Sequence, residues 1–106
     1  MTPKIQALLA ELRRSFEALY GGRLKEIRLF GSYARGEAEP GSDLDLLVVL
    51  QGPVNPGEEI ARSSRLASEL SLRYNLVVSL VFMDETRFRT RAGPLLRNIR
   101  REGLPV

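Results

Sequence analysis

Two acids stand at the head of an apolar run: Asp43 and Asp45 in Ser42-Asp43-Leu44-Asp45-Leu46-Leu47-Val48-Val49-Leu50. In an extended strand, residues two apart project from one face. Their Cα atoms then lie about 6.6 Å apart, at a rise of about 3.3 Å per residue. From that separation both carboxylates can lean onto a shared divalent cation. Upstream, Leu29-Phe30 runs into Gly31-Ser32-Tyr33-Ala34-Arg35-Gly36, a strand end followed by a tight turn. Gly31 lets backbone approach a phosphate closely, Ser32 adds a hydroxyl donor, and Arg35 is near enough in sequence to reach a phosphate oxygen. Phosphoryl and nucleotidyl transfer need the charge on a triphosphate and on departing pyrophosphate neutralised. Carboxylate-held metal, backbone N–H groups and a cationic side chain do this. Singly, these features are ordinary: a Gly-Ser turn, a solvated strand cap, a surface arginine. Two carboxylates about 4 Å apart repel by up to about 4 kcal/mol at an effective dielectric of about 20, and far less in water, so repulsion alone does not demand a cation. The combination is much rarer than its parts.

Elements that position these residues are legible on either side. Thr2-Pro3 opens a helix, and Ile5, Leu8, Leu9, Leu12, Phe16 and Leu19 recur at helical spacing until Gly21-Gly22 stops it. Leu24 to Phe30 reads as a strand, Ser32 to Gly36 as a helical turn, and Glu37 to Ser42, with Pro40-Gly41, as a loop. The strand Asp43 to Leu50 follows. Asn55-Pro56-Gly57-Glu58 caps a second long helix running to about Tyr74. Its inner face is read as Ile60, Ala67, Leu70 and Tyr74, with Asn75 as the left-handed residue that closes it. Leu76 to Phe82 is a third strand, broken only by Ser79. Asp84-Glu85-Thr86 caps a short helix, and Gly93-Pro94 starts a last one with Leu95, Leu96 and Ile99 among Arg97, Arg100 and Arg101.

This order predicts a small α/β (α+β) layer structure, a mixed sheet of three to four strands packed with about four helices. Residues 1–106 read as a single domain, with no repeat or linker between subdomains. The long helix between the second and third strands is a full crossover, which permits those strands to be parallel. The relation of the first two strands is left open.

Composition sets limits. With 43% hydrophobic and 27% charged residues the chain can bury a core. It has no Cys and no His, which excludes disulfides, zinc, haem and Fe–S sites built from them, and Ser-His-Asp or Cys-His catalysis. A metal here is oxygen-held, which points to Mg²⁺ or Mn²⁺. There is no signal-peptide pattern and no apolar run long enough for a membrane span, so a soluble, cytoplasmic protein is the simple expectation. The net charge of +3 reads first as a solvated, Arg-rich surface. Attraction to nucleotide phosphates, nucleic acid or an acidic partner is the lesser reading.

Gly31-Ser32, ten intervening residues and Asp43-x-Asp45 form a pattern similar to the signature of the DNA polymerase β-like nucleotidyltransferase superfamily. The fuller set, Gly31-Ser32-x-Ala34-Arg35-Gly36 with Ser42-Asp43-Leu44-Asp45-Leu46, resembles its minimal, MNT-type branch, over nearly the whole chain. The resemblance implies that Gly31 and Ser32 contact the β- and γ-phosphates of ATP, while Asp43 and Asp45 bind Mg²⁺ and carry catalysis. Members of the branch often pair with a HEPN-domain protein as antitoxin and toxin, and some transfer AMP from ATP to a tyrosine of that partner. The expectation is therefore an Mg²⁺-dependent nucleotidyltransferase acting on a protein hydroxyl, in a homo- or hetero-oligomer. The alternative is a catalytically weak module of the same fold that neutralises a HEPN partner by docking. One departure bears on the choice. Active members usually carry a third carboxylate on the later strand, and here Ser79 is its one polar residue.

Overall fold

The computed structural model describes residues 1–106. Helix α1 (Pro3–Tyr20) starts where Thr2 Oγ1 accepts the Ile5 N–H at 3.3 Å. A 3-10 turn, Gly21–Arg23, leads into strand β1 (Leu24–Phe30), and the single-turn helix α2 (Ser32–Arg35) follows. Strand β2 is Leu44–Leu50, so Asp43 stands one residue before the strand rather than in it. Helix α3 (Pro56–Tyr74) is capped by Asn55, whose Oδ1 accepts the Glu58 N–H at 3.3 Å, and is closed by Asn75 at φ 54°. Strand β3 is Val78–Asp84, two residues later than the apolar run suggested. Asp84 ends it and caps helix α4 (Glu85–Thr90), accepting the Arg87 N–H at 2.8 Å. Helix α5 (Pro94–Glu102) and a two-residue strand β4 (Leu104–Pro105) complete the chain. No sequence signal marked β4. Its pairing with β1 is continued by the Val106 N–H, donated to the Ile27 carbonyl at 2.9 Å, with Val106 packed against the core.

The four strands form one mixed sheet in the order β3-β2-β1-β4. β2 and β3 are parallel, as the α3 crossover permits, and β1 is antiparallel to both β2 and β4. Both faces are covered. Leu44, Leu46, Val48 and Leu50 of β2 meet α1 and α3 through Leu8, Leu12, Phe16 and Leu70. Leu47 and Val49 meet Phe88 of α4 and Leu96 and Ile99 of α5. A strand buried on both faces needs a continuous apolar run, which is what β2 supplies after Asp45. No helix is long and apolar enough to cross a membrane.

Two inner faces differ from the sequence reading. On α1 the last buried side chain is Tyr20, while Leu19 is 42% exposed. On α3, Ile60 is 50% exposed and the buried positions are Glu59, Ser63 and Leu70. The two differences have one cause. The Tyr20 hydroxyl donates to Glu59 Oε1 at 2.7 Å, Arg62 adds an ion pair at 3.1 Å, and Ser63 donates to the Glu59 carbonyl at 2.8 Å. Tyr20 and Arg62 let the Glu59 carboxylate occupy a position where Ile60 was expected to turn inward, while Ser63 turns its own hydroxyl back onto the main chain.

Removing one partner of such a pair leaves the other unsatisfied, at a cost of about 1.5–3 kcal/mol for a bond to a charged group. Tyr20→Phe is expected to lower unfolding free energy by about that amount, measured by urea denaturation. An unchanged midpoint would show that the Glu59 carboxylate is held by Arg62 without the hydroxyl.

Candidate functional site

The site is built by the pairing of β1 with β2. In their antiparallel register Phe30 lies opposite Asp45, so the end of β1 and the start of β2 are side by side. The next residue, Gly31, has φ 76° and ψ −156°, a region essentially restricted to glycine. A Cβ on Gly31 would run into the carboxylate of Asp45. Glycine is thus required twice, by the backbone angle and by the acid packed against it.

From Gly31 the chain enters α2, whose first N–H groups have no partner within so short a helix; the Arg35 N–H closes back on the Gly31 carbonyl at 3.2 Å. The connection to β2 is folded on itself. Glu39 and Ser42 exchange two bonds of 2.9 Å, the Ser42 N–H to the Glu39 carbonyl and the Glu39 N–H to Ser42 Oγ. Between them Pro40 and Gly41, the latter at φ 91°, supply the residues of a type II turn. The turn delivers Asp43 exposed at the tip of β2, with Asp45 half-buried beside Gly31.

Arg35 faces two acids. Its Nε is 3.0 Å from Glu37, and its Nη1 is 3.8 Å from Glu102 at the end of α5. Between α2 and α5 lies a cleft of about 220 Å³, lined by Phe30, Gly31, Arg35, Leu95, Asn98 and Glu102, among others. A larger cavity of about 350 Å³ opens on the other side of the Pro40–Ser42 turn, between Lys4, Tyr33 and Asn75. Glu102 and Asn98 were not singled out by sequence. Glu102 meets Arg35, and Asn98 lines the same cleft, only because α5 packs on the sheet, and no local pattern signals that placement.

The register of β2 and β3 sets Ser79 beside Asp45. Paired residues of parallel strands share a face, so Asp45, Ser79 and, further on, Val81 and Met83 form one row. No acid stands in that row on β3. Asp84 pairs with Leu50 at the far end of β2 and is committed to capping α4 and to Arg87. No group of three acids in the chain is placed to hold a metal.

Burial pushes the Asp45 carboxyl above the ordinary carboxylate range, the neighbouring charge of Asp43 adds to the rise, and Arg35 opposes it. The folded state therefore holds this proton to higher pH than the unfolded chain does. Stability from this group is full below the unfolded pKa and falls as pH rises through the raised folded value. Asp45→Asn should accordingly melt higher than the parent protein at neutral pH in the presence of a chelator, with the gap closing in acid. A mutant that melts lower at neutral pH would mean that the Asp45 carboxylate is net stabilised by its surroundings. Gly31→Ala should lose stability by about 1–3 kcal/mol from its backbone angle alone, which denaturant titration reads directly.

Residues 9–106 match the family model described as a nucleotidyltransferase domain. A Methanocaldococcus jannaschii protein, provisionally named protein adenylyltransferase MJ0604, is 34% identical over 96 residues, covering 90% of this chain and 90% of its own. Protein adenylyltransferase MntA of Thermococcus cleftensis is 33% identical over 75 residues, covering 71% of this chain and 74% of its own. Among solved structures, a toxin-antitoxin with AMP-PNP is 27% identical with a TM-score of 0.59, covering 96% of this chain and 68% of that one. The fold and the family agree, and the chain belongs to the nucleotidyltransferase domain family.

Proposed function

We propose that residues 1–106 act as a single minimal nucleotidyltransferase domain that binds ATP with Mg²⁺ and moves AMP onto a protein hydroxyl. On this reading it serves as the antitoxin of a HEPN-domain partner in the cytoplasm. The observation that carries the reading is the packing of Gly31 against the Asp45 carboxylate, with Asp43 exposed two residues before it at the head of β2. The likeness to protein adenylyltransferases and to a toxin-antitoxin with AMP-PNP supports the donor and the acceptor class.

The residues fit a hard divalent cation. Asp43 and Asp45 interact closely enough for one charge to raise the other's pKa, and neither has an ion-pair partner within the chain. The donors are oxygens only. Mg²⁺ held by them would supply charge neutralisation on the triphosphate. The chain's own groups do the rest. Gly31 and Ser32 lie along the phosphates, and the free N–H groups of α2 add donors. Arg35 reaches a phosphate oxygen by leaving Glu37 or Glu102. At about 220 Å³ the adjacent cleft is smaller than the roughly 300–1,000 Å³ of an enclosing ligand pocket, so one side of the nucleotide is left to a partner or a second copy.

Ser79 beside Asp45 favours slow transfer with nucleotide binding retained, because a neutral hydroxyl is a poor Mg²⁺ ligand. Calorimetry with ATP is expected to show binding that weakens without Mg²⁺ and in Asp43→Asn; equal binding by the mutant would remove the metal role. Intact-mass measurement of the HEPN partner after co-expression should show added AMP. Ser79→Asp should raise Mg²⁺-dependent transfer by about tenfold, roughly 1.4 kcal/mol of barrier. A parent protein that is already fast, and is unchanged or slowed by Ser79→Asp, would show that two carboxylates suffice or that the partner completes the site.

A further inference from the structure

The charge of this protein is unevenly placed. Residues Asp84 to Glu102, which form the end of β3, α4 and α5, carry six arginines against three acids. That segment therefore holds the whole net charge of +3, and the remaining residues balance at ten basic and ten acidic. All six arginines, Arg87, Arg89, Arg91, Arg97, Arg100 and Arg101, are exposed.

They are gathered in space as well as in sequence. Phe88, Leu96 and Ile99 anchor α4 and α5 side by side on the same sheet face as Asp45. Arg100 ties the two helices together, donating to the carbonyls of Phe88 and of Arg91, the latter at 2.8 Å, with its guanidinium carbon 5.4 Å from the Phe88 ring centre. Arg87 pairs with Asp84, Arg89 with Glu85, and Arg101 with Glu102 and the Asn98 amide. These surface pairs are worth little and do not cancel the excess. Arg91 and Arg97 have no ion-pair partner. Of the acids on other elements, Glu26 is engaged with Arg28 and Glu37 with Arg35.

The surface also has a place relative to the chemistry. One side of α5, through Leu95, Asn98 and Glu102, is a wall of the cleft that contains Gly31 and Arg35. Arg101 is next to that wall, and Leu95 at its rim is 51% exposed. A polypeptide lying along α4 and α5 would reach the open side of the nucleotide site without crossing another element.

We propose that the arginine face of α4 and α5 is the docking surface for the acceptor polypeptide, and that it selects an acceptor whose hydroxyl is flanked by acidic residues. This rests on the nucleotidyltransfer reading above and adds to it the chemistry of the partner. Complementary charge acts mainly on encounter and orientation, and its effect fades with salt.

The probe is a fluorescein-labelled random copolymer of glutamate and tyrosine, with a lysine–tyrosine copolymer and polyuridylate for comparison, each followed by anisotropy with the full chain. Expected is binding of the glutamate–tyrosine copolymer that weakens as salt is raised, and no binding of the lysine–tyrosine copolymer. Joint replacement Arg89→Glu, Arg91→Glu and Arg97→Glu should weaken copolymer binding about tenfold or more while leaving Mg²⁺-ATP calorimetry unchanged. The same three positions changed to Gln give a milder loss and guard against a folding artefact. Asp43→Asn should keep copolymer binding and lose ATP, so a failed metal site and a failed docking surface read out separately. Equal binding of both copolymers, indifference to charge reversal, or tighter binding of polyuridylate than of the glutamate–tyrosine copolymer would overturn the proposal.

Discussion

Antiparallel pairing of β1 with β2 is the constraint on which the candidate site depends. A strand that runs out beside the start of its neighbour brings the residues after one to the residues before the other. Phe30 opposite Asp45 is that meeting point, and it turns two separate sequence motifs into one contact, Gly31 backbone against Asp45 carboxylate. Every other element serves this register. β2 is apolar on both faces beyond Asp45, so the sheet position of the strand is fixed by burial, and a slip of one residue would carry Asp45 into the opposite core. The α3 crossover then sets β3 alongside with Ser79 next to Asp45.

Much of this was legible in the sequence because the signals are local. The caps at Thr2, Asn55 and Asp84, the closing Asn75 and the breaks at Gly21 and Gly93 depend on nearby backbone geometry, and each sits where its chemistry requires. The pairing of Gly31-Ser32 with Asp43 and Asp45 was legible for a different reason, as a fixed spacing. What escaped was long-range. Glu59 replaces Ile60 on the inner side of α3 because Tyr20, from another helix, gives it a partner. Leu76 and Val77 look like strand residues but serve as the approach to β3, with the Leu76 N–H closing the end of α3 on the Ser71 carbonyl at 3.1 Å. β4 is two residues long and carries a proline, so neither alternation nor propensity marks it. The clamp on Arg35 by Glu102 depends on where α5 comes to rest, which periodicity does not report.

Asp45 also illustrates how a site is held at some cost to its scaffold. Its carboxyl is partly removed from water, sits beside a second acid and leans on a glycine that no other residue replaces without strain. Charge that is unfavourable in the chain alone is what a bound cation would relieve.

The sheet order has a last consequence, for growth of the sheet itself. On the β1 side β4 covers the edge at Arg28 and Leu29, and is itself too short and too proline-bearing to template another strand. On the β3 side seven residues, Val-Ser-Leu-Val-Phe-Met-Asp, end the sheet with neither proline nor lysine to discourage an incoming strand. Only the Val78 N–H is met from outside the ladder, by the Ser71 hydroxyl at 3.1 Å. The long open edge for a chain that extends this sheet by backbone pairing is β3. Such a chain would then lie about 4.8 Å from β3, with Ser79 as the one residue between it and Asp45 along the row.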